Sequence, residues 1–244
     1  MSKTILKLWV FLLAIILSNS LFSNDSTTFH STVILKNFGN IIPLKKLDTL
    51  NIATLNLSSN NLNSFEVSCD NYTYINHFHF NTFSSKRMIR AMEKELKGFN
   101  LIIVNTDTIH FEIANLIQEI SSKNKIILNY VHGKKLFFDD LIINSCQAIL
   151  YNPNSKPKNL KHASQVIFGG LSCSNSLESN LCENYQSGDG LTTTKTRLSY
   201  LNPNELDIND SILYKIDSII NNGIDKHAMP GCQILAAKDG NVFF

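Results

Sequence analysis

Phe99-Asn100-Leu101-Ile102-Ile103-Val104-Asn105-Thr106-Asp107, near the middle of the 244-residue chain, is the stretch whose reading decides the fold. Four consecutive branched apolar residues, entered from Gly98 and left through Asn105-Thr106-Asp107-Thr108, are too few for a free-standing helix and suit a strand covered on both faces. Such a strand belongs inside a parallel sheet. In open α/β sheets the ligand crevice lies beyond the carboxyl ends of the strands, which makes Asn105 and Asp107 candidates for substrate contact.

Working outward, residues 111–122 carry Ile113, Leu116, Ile117 and Ile120 at the spacing of one buried helical stripe. A strand over 126–130, a helix over 136–143, a short strand over 148–151 and a helix over 160–168 stopped by Gly169-Gly170 follow. On the other side, 84–97 reads as a helix with Ser84 or Ser85 as N-cap and Met88, Ile89, Met92 and Leu96 on one face. Strands are expected over 74–80 and 51–57, joined by a polar connection at 61–70 with room for a short helix. Val33-Ile34-Leu35-Lys36-Asn37 and Ile41-Ile42-Pro43-Leu44 flank a turn at Gly39-Asn40. Strands alternating with helices of this length predict an α/β fold, a three-layer sandwich with a mostly parallel sheet.

A content of 43% hydrophobic and 17% charged residues supports one substantial core, or one core and the start of another. The net charge of +2 comes with no cluster of Lys and Arg, which argues against nucleic acid as a partner. Lys3 and Lys7, the apolar run from Leu8 to Leu17 and the small or polar residues around Ser18-Asn19-Ser20 have the order of a secretory signal peptide, taken as 1–23. Its apolar run is shorter than the roughly 20 residues of a membrane span. The mature chain is therefore expected in the periplasm or outside the cell, with no membrane association after cleavage. Cys69, Cys146, Cys173, Cys182 and Cys232 lack the paired spacing of zinc ligands. Cys146, ahead of Ala148-Ile149-Leu150, reads as a small buried hydrophobe. Cys173 and Cys182 bracket a short polar loop, and both a disulfide and free thiols are compatible with that placement.

From 170 to about 200 periodicity gives way to Ser, Asn, Thr and Gly, the mark of a linker or of a long ordered excursion. Ile212, Leu213, Ile216, Ile219 and Ile220 then form a new amphipathic stripe, Cys232 to Lys238 reads as a strand, and Asp239-Gly240 is a hairpin signal. One helix and half a hairpin cannot bury a core, so 209–244 is expected to open a second domain that is incomplete here, with an exposed apolar helix face.

Val33 to Asn37 followed by Ile41 to Leu44, and Val166-Ile167-Phe168-Gly169-Gly170, resemble the first and last elements of the C-terminal α/β sandwich of family 3 glycoside hydrolases. Gly188-Asp189-Gly190, Arg197-Leu198-Ser199-Tyr200, Leu213-Tyr214-Lys215-Ile216-Asp217 and Pro230 to Gly240 resemble the junction of such a sandwich with a serine β-lactamase-like domain. The resemblance divides the chain into a sandwich over 30–178, a linker over 179–208 and the start of the β-lactamase-like domain over 209–244. It implies an exported glycosidase acting on β-N-acetylhexosaminides or β-glucosides, with no cofactor. It also implies that the chain is catalytically incomplete. The (β/α)8 barrel that bears the family's aspartate nucleophile has no counterpart here, the Ser-x-x-Lys motif is expected beyond Phe244, and no catalytic residue carries over. The partner implied is a carbohydrate, reached through a missing or separately encoded barrel. Where the family has a Gly-Lys-Leu-Pro-like sequence, this chain has Asn175-Ser176-Leu177-Glu178. The alternative, from another class, is a non-catalytic exported module that binds glycan or a partner protein.

Other chemistry finds little support. Ser122-Lys123-Asn124-Lys125 and Ser155-Lys156-Pro157-Lys158 have nucleophile-like spacing, but the first ends a helix and the second sits in a loop. Gly170-Leu171-Ser172-Cys173-Ser174 lacks the closing glycine of a nucleophile elbow. Asp139 and Asp140 are neighbours that diverge on a helix, whereas glycoside hydrolysis needs two converging carboxyls. Glu178, Glu183 and Asp189 lie in the irregular segment; Asp189 joins Asn105 and Asp107 as a substrate-binding candidate. His77 and His79 share a strand face, a spacing that can hold a metal, yet a third ligand is not evident and a structural role is the reading adopted. No glycine-rich phosphate cradle follows Asp107.

Overall fold

A computed structural model of the protein describes residues 32–59, 61–80, 86–131 and 140–244, with backbone alone at 86–89. The expected signal peptide, the N-cap serines Ser84 and Ser85, the side chains of Met88 and Ile89, Asp139 and the first part of the helix expected from 136 lie outside the described residues.

The described elements are β1 (Val33–Asn37), β2 (Ile52–Asn56), α1 (Asn63–Asp70), β3 (Asn76–His79), α2 (Lys86–Leu96), β4 (Leu101–Thr106), α3 (Phe111–Ser121), β5 (Lys125–Val131), α4 (Asp140–Ser145), β6 (Ala148–Asn152) and α5 (Pro157–Phe168). Their strands form one six-stranded sheet in the order β1-β6-β5-β4-β2-β3. Every pair is parallel except β1 with β6, where Val33 lies opposite Tyr151 and Asn37 opposite Ala148. This is the mostly parallel α/β sandwich expected from the sequence.

β4 sits between β5 and β2, and Leu101, Ile102, Ile103 and Val104 are all wholly buried. Alternation sends Ile102 and Val104 into a core with Met92, Leu96, Leu116 and Ile117 of α2 and α3. Leu101 and Ile103 go to the opposite core, with Phe65 of α1 and Leu160, Val166 and Phe168 of α5. α5 starts three residues earlier than expected because Pro157, at the first helical position, gives up an N–H that has no intrahelical partner there. It ends at Gly169 in the left-handed conformation, φ +81°.

The 170–198 segment, though irregular, packs on the sandwich. Leu177, Leu181 and Tyr185 join the α2/α3-side core, and Leu191 N–H donates to Ile34 O of β1 at 2.8 Å. The packed unit thus runs past residue 178, the sandwich boundary expected from the sequence, because these three side chains bury against it. Cys173 and Cys182 sit on separate backbone bridges, to Thr193 and Tyr185, and all five cysteines are free, so the disulfide option is not realised.

Beyond it, β7 (Ser199–Tyr200), α6 (Tyr214–Asp225), β8 (Ala237–Lys238) and β9 (Asn241–Val242) follow, with the three strands in the order β7-β9-β8. Asp239 and Gly240, at φ +51° and +77°, make the tight turn that their sequence signals. The strand expected over 232–238 is regular only at Ala237–Lys238; Ile234 and Leu235 before it are exposed and form no ladder among the described residues. No residue of α6 is buried, and Ile219 is 69% exposed. The junction to the sandwich is tight, with Arg197 Nη1 donating to the carbonyls of Leu44 and Phe168, both at 2.6 Å. Tyr72 stacks on Phe168 and meets Tyr200 edge-on, each pair 5.1 Å between centroids. A Cβ on Gly170 would lie 1.9 Å from the Tyr72 hydroxyl, so any larger residue must displace the Tyr72 side chain.

Ile103→Ala is expected to lower unfolding free energy by roughly 2–5 kcal/mol in urea titrations. Gly170→Ala is expected to cost about 1–3 kcal/mol by overpacking against Tyr72, and Tyr72→Leu in the same background to recover part of it.

Candidate functional site

On the face covered by α1 and α5, apolar residues give way to asparagines as the strands approach their carboxyl ends. Asn56 pairs in register with Asn105, and Asn105 with Asn129, so the three share a face; Asn152 lies two residues beyond Leu150, the register partner of Asn129. Asn105, Asn129 and Asn152 are wholly buried. Buried amides must find partners, and these find one another. Asn152 Nδ2 donates to Asn129 Oδ1, and Asn129 Nδ2 donates to Asn105 Oδ1 at 2.7 Å. At the far end Thr32 Oγ1 donates its proton to Asn152 Oδ1 at 2.6 Å. His162 Nδ1, 3.1 Å from the same hydroxyl, therefore carries the hydrogen and donates to it. The row runs in one direction and ends with a surplus donor: Asn105 Nδ2 is buried without a hydrogen-bond partner.

A second polar group joins α1 to the edge strand β3. Glu66 and Asp70 are four apart on α1 and so share a face, as do His77 and His79 on β3. His77 Nε2 donates to Asp70 Oδ1 at 3.1 Å, which leaves its Nδ1 to accept from Thr54 Oγ1 at 2.7 Å. His79 Nδ1 faces Asn56 Nδ2 at 3.4 Å, and its Nε2 lies 3.3 Å from Glu66 Oε1. That last contact is an ion-pair distance without hydrogen-bond alignment, and Glu66 Oε1 is buried with no hydrogen-bond partner. Both histidines clasp α1 to the sheet, the structural role read from the sequence. Among the described residues no group of three or more His, Cys, Asp or Glu side chains is arranged to hold a metal.

Above these pairs, between the end of β2 and the start of α1, opens a cleft of about 340 Å³ lined by Asn56, Ser58, Ser59, Asn61, Glu66 and His79, among others. Ser59 binds Asp107 Oδ2 through its hydroxyl at 2.8 Å and its N–H at 3.3 Å, tying the loop after β2 to the loop after β4. Although Ser, His and Glu meet here, they do not form a nucleophilic triad. Both imidazole nitrogens of His79 face other groups, and the Ser59 hydroxyl is directed at a carboxylate. The arrangement presents hydrogen-bonding groups, and its Ser59 hydroxyl is held by Asp107 and not by an imidazole.

Of the substrate-binding candidates, Asn105 and Asp107 come to this strand edge. Asp189 does not join them: it is exposed and accepts from Gln186 N–H at 2.7 Å, closing its own turn. Glu178 and Glu183 are also exposed on that segment. Ser122 caps the end of α3 by donating to Glu119 O at 2.7 Å, and Asp140 is exposed at the start of α4. Sequence reasoning missed Glu66 and the Asn56-Leu57-Ser58-Ser59 turn. The available signal was the repetition of Asn at the carboxyl ends of strands otherwise made of Ile, Leu and Val.

No family model matches the chain, and no curated protein matches it. Solved structures do. The β-glucosidase of Listeria innocua in complex with gluconolactone matches over 67% of this chain at TM-score 0.52 and 12% identity. In complex with isofagomine it matches over 62% at TM-score 0.51 and 12% identity. A family 3 β-N-acetylglucosaminidase from Paenibacillus sp. matches 57% of this chain and 28% of its own at 12% identity, with a TM-score of 0.47 that is too low to add to the comparison. The chain spans only 25–28% of the length of the Listeria enzyme. At this identity the likeness is one of fold: the sandwich has the architecture of one part of a glycosidase.

His162, half-buried against Thr32, has its pKa lowered by desolvation. Below about pH 6.5 the unfolded chain then takes up a proton that the folded chain resists, so stability should fall as pH drops from there. His162→Gln keeps a donor for Thr32 and cannot protonate. Its urea midpoint should decline less than that of the parent between pH 7 and pH 5.

Proposed function

We propose that this chain supplies the α/β sandwich of an exported family 3-type glycoside hydrolase of β-N-acetylhexosaminide or β-glucoside specificity. Catalysis would reside in a barrel contributed by a separate segment or chain, and residues 209–244 would open a serine β-lactamase-like domain. The supporting observation is the likeness of the sandwich to about a quarter of a β-glucosidase. The order of the sequence motifs is in keeping with it. In this reading the Asn56, Asn105 and Asp107 edge is the side turned toward the barrel, since ligand crevices of such sheets lie at the carboxyl ends of the strands. The polar cleft favours a second reading, a non-catalytic glycan-binding module.

The purified chain is expected to release no chromophore from p-nitrophenyl β-N-acetylglucosaminide or β-glucoside. Turnover by the chain alone, abolished by Asp189→Asn or Glu183→Gln, would overturn the proposal.

A further inference from the structure

We infer that His79 and Asn56 form an acid-sensitive latch on the loop that follows β2: when the His79 ring takes up a proton, the Asn56 amide turns over and releases the Ser58 N–H. Ser58 N–H donates to Asn56 Oδ1 at 3.0 Å, and that bond fixes the amide with its Nδ2 toward Nδ1 of His79, 3.4 Å away. Nδ2 can only donate, so the ring nitrogen opposite it accepts. The ring is then neutral, with its hydrogen on Nε2 beside Glu66 Oε1 at 3.3 Å.

Protonation changes one contact of this ring and spares the other. The Nε2 hydrogen is present in both charge states, so the Glu66 contact stays, and the positive charge strengthens it. At Nδ1 a new N–H points at the Asn56 Nδ2 donor, with no acceptor between them. Rotating the ring withdraws Nε2 from Glu66, so the amide yields instead. Exchanging its ends gives Oδ1 to the imidazolium and takes it from Ser58 N–H. His77, on the same face of β3, supplies the contrast: its Nδ1 meets Thr54 Oγ1 at 2.7 Å, a hydroxyl that becomes an acceptor by turning its own hydrogen away. From α1 the titratable groups facing the two rings are Glu66, beside His79, and Asp70, paired with His77. β2 presents Thr54 and Asn56, which do not titrate, and Asp107, beyond β4, holds Ser59. Asn56, Ser58, Ser59 and His79 all line the cleft. Once Ser58 is released, the rim is held by Ser59 on Asp107 and by Leu57 N–H on Asn105 O at 2.8 Å, so the cleft changes shape in acid. The latch goes beyond the proposed glycosidase role, because it requires neither a barrel nor hydrolysis.

The test is amide hydrogen exchange in the ¹⁵N-labelled full chain between pH 8 and pH 5, the span in which imidazoles change charge, with the His79 ring proton followed in parallel. Corrected for the intrinsic pH dependence of exchange, protection of the Ser58 amide should fall about threefold to tenfold as the ring is protonated, the loss of one neutral hydrogen bond. Leu57 should keep its protection, which marks the change as local. His79→Gln should abolish the fall at Ser58, and His77→Gln should preserve it. Asn56→Asp, whose carboxylate accepts from Ser58 and the imidazolium together, should keep Ser58 protected down to pH 5; if that variant does not fold, the two histidine variants decide. The proposal is overturned if Ser58 protection stays constant while the His79 ring titrates, or if the fall persists in His79→Gln. A parallel fall at Leu57 overturns it equally, since the loop would then be opening as a whole. Failure here leaves the glycosidase proposal as it stands, and chromophore release by the chain alone overturns that proposal without touching this one.

Discussion

A strand buried on both faces has no solvent side on which to leave a polar group, and this constraint shapes the whole sheet. β4 meets it with Leu101 to Val104, which divide between two helix layers, and the same strand then places Asn105 in the interior. Once one interior strand ends on a buried amide, its neighbours have to supply partners. The row from Thr32 through Asn152 and Asn129 to Asn105 is the result, and it crosses the sheet where the apolar packing stops. Hydrogen bonds of this kind contribute modestly to net stability while being costly to leave unmade, so the row acts mainly on register and rotamer choice.

The direction of that row links the fold to the site. Thr32 has a single hydroxyl proton and gives it to Asn152, which sets the proton position on His162 and leaves every later amide donating inward toward β4. The unpaired donor therefore falls at Asn105, the register partner of Asn56, rather than at the other end. α1 adds a buried acceptor, because its two carboxylates face β3 and the imidazole beside Glu66 is at ion-pair distance without hydrogen-bond alignment. The likeness to one part of a β-glucosidase gives the sandwich an architectural context, and the chemistry of the edge has to be argued from its own atoms.

Much of the architecture was legible in the linear chain. The β4 run, the α3 stripe and the Gly169-Gly170 stop each state their element through local rules: a short branched run, the 3.6 period, and a left-handed cap. The Asp239-Gly240 turn is of the same kind. What escaped depends on long-range closure. Residues 170–198 have no period and so look like a linker, yet Leu177, Leu181 and Tyr185 are core residues because that segment folds back over the sandwich. Glu66 looked like one more polar residue in a connection. Its burial comes from α1 packing against α5, where Ser164 meets Ser68, and from β3 bringing His79 alongside.

The sequence by itself determined the class of fold, the interior position of β4 and the strand ends at which ligand contacts were to be sought, since these follow from hydrophobic period and turn chemistry within about ten residues of chain. Only the tertiary structure decided that Asn105 ends a row of buried amides, that Asp189 closes its own turn, and that Glu66 faces a cleft. Hydrogen-bond direction and burial belong to groups brought together from Thr32 to His162, 130 positions apart in the chain, and no local pattern encodes which of their atoms will be left without a partner.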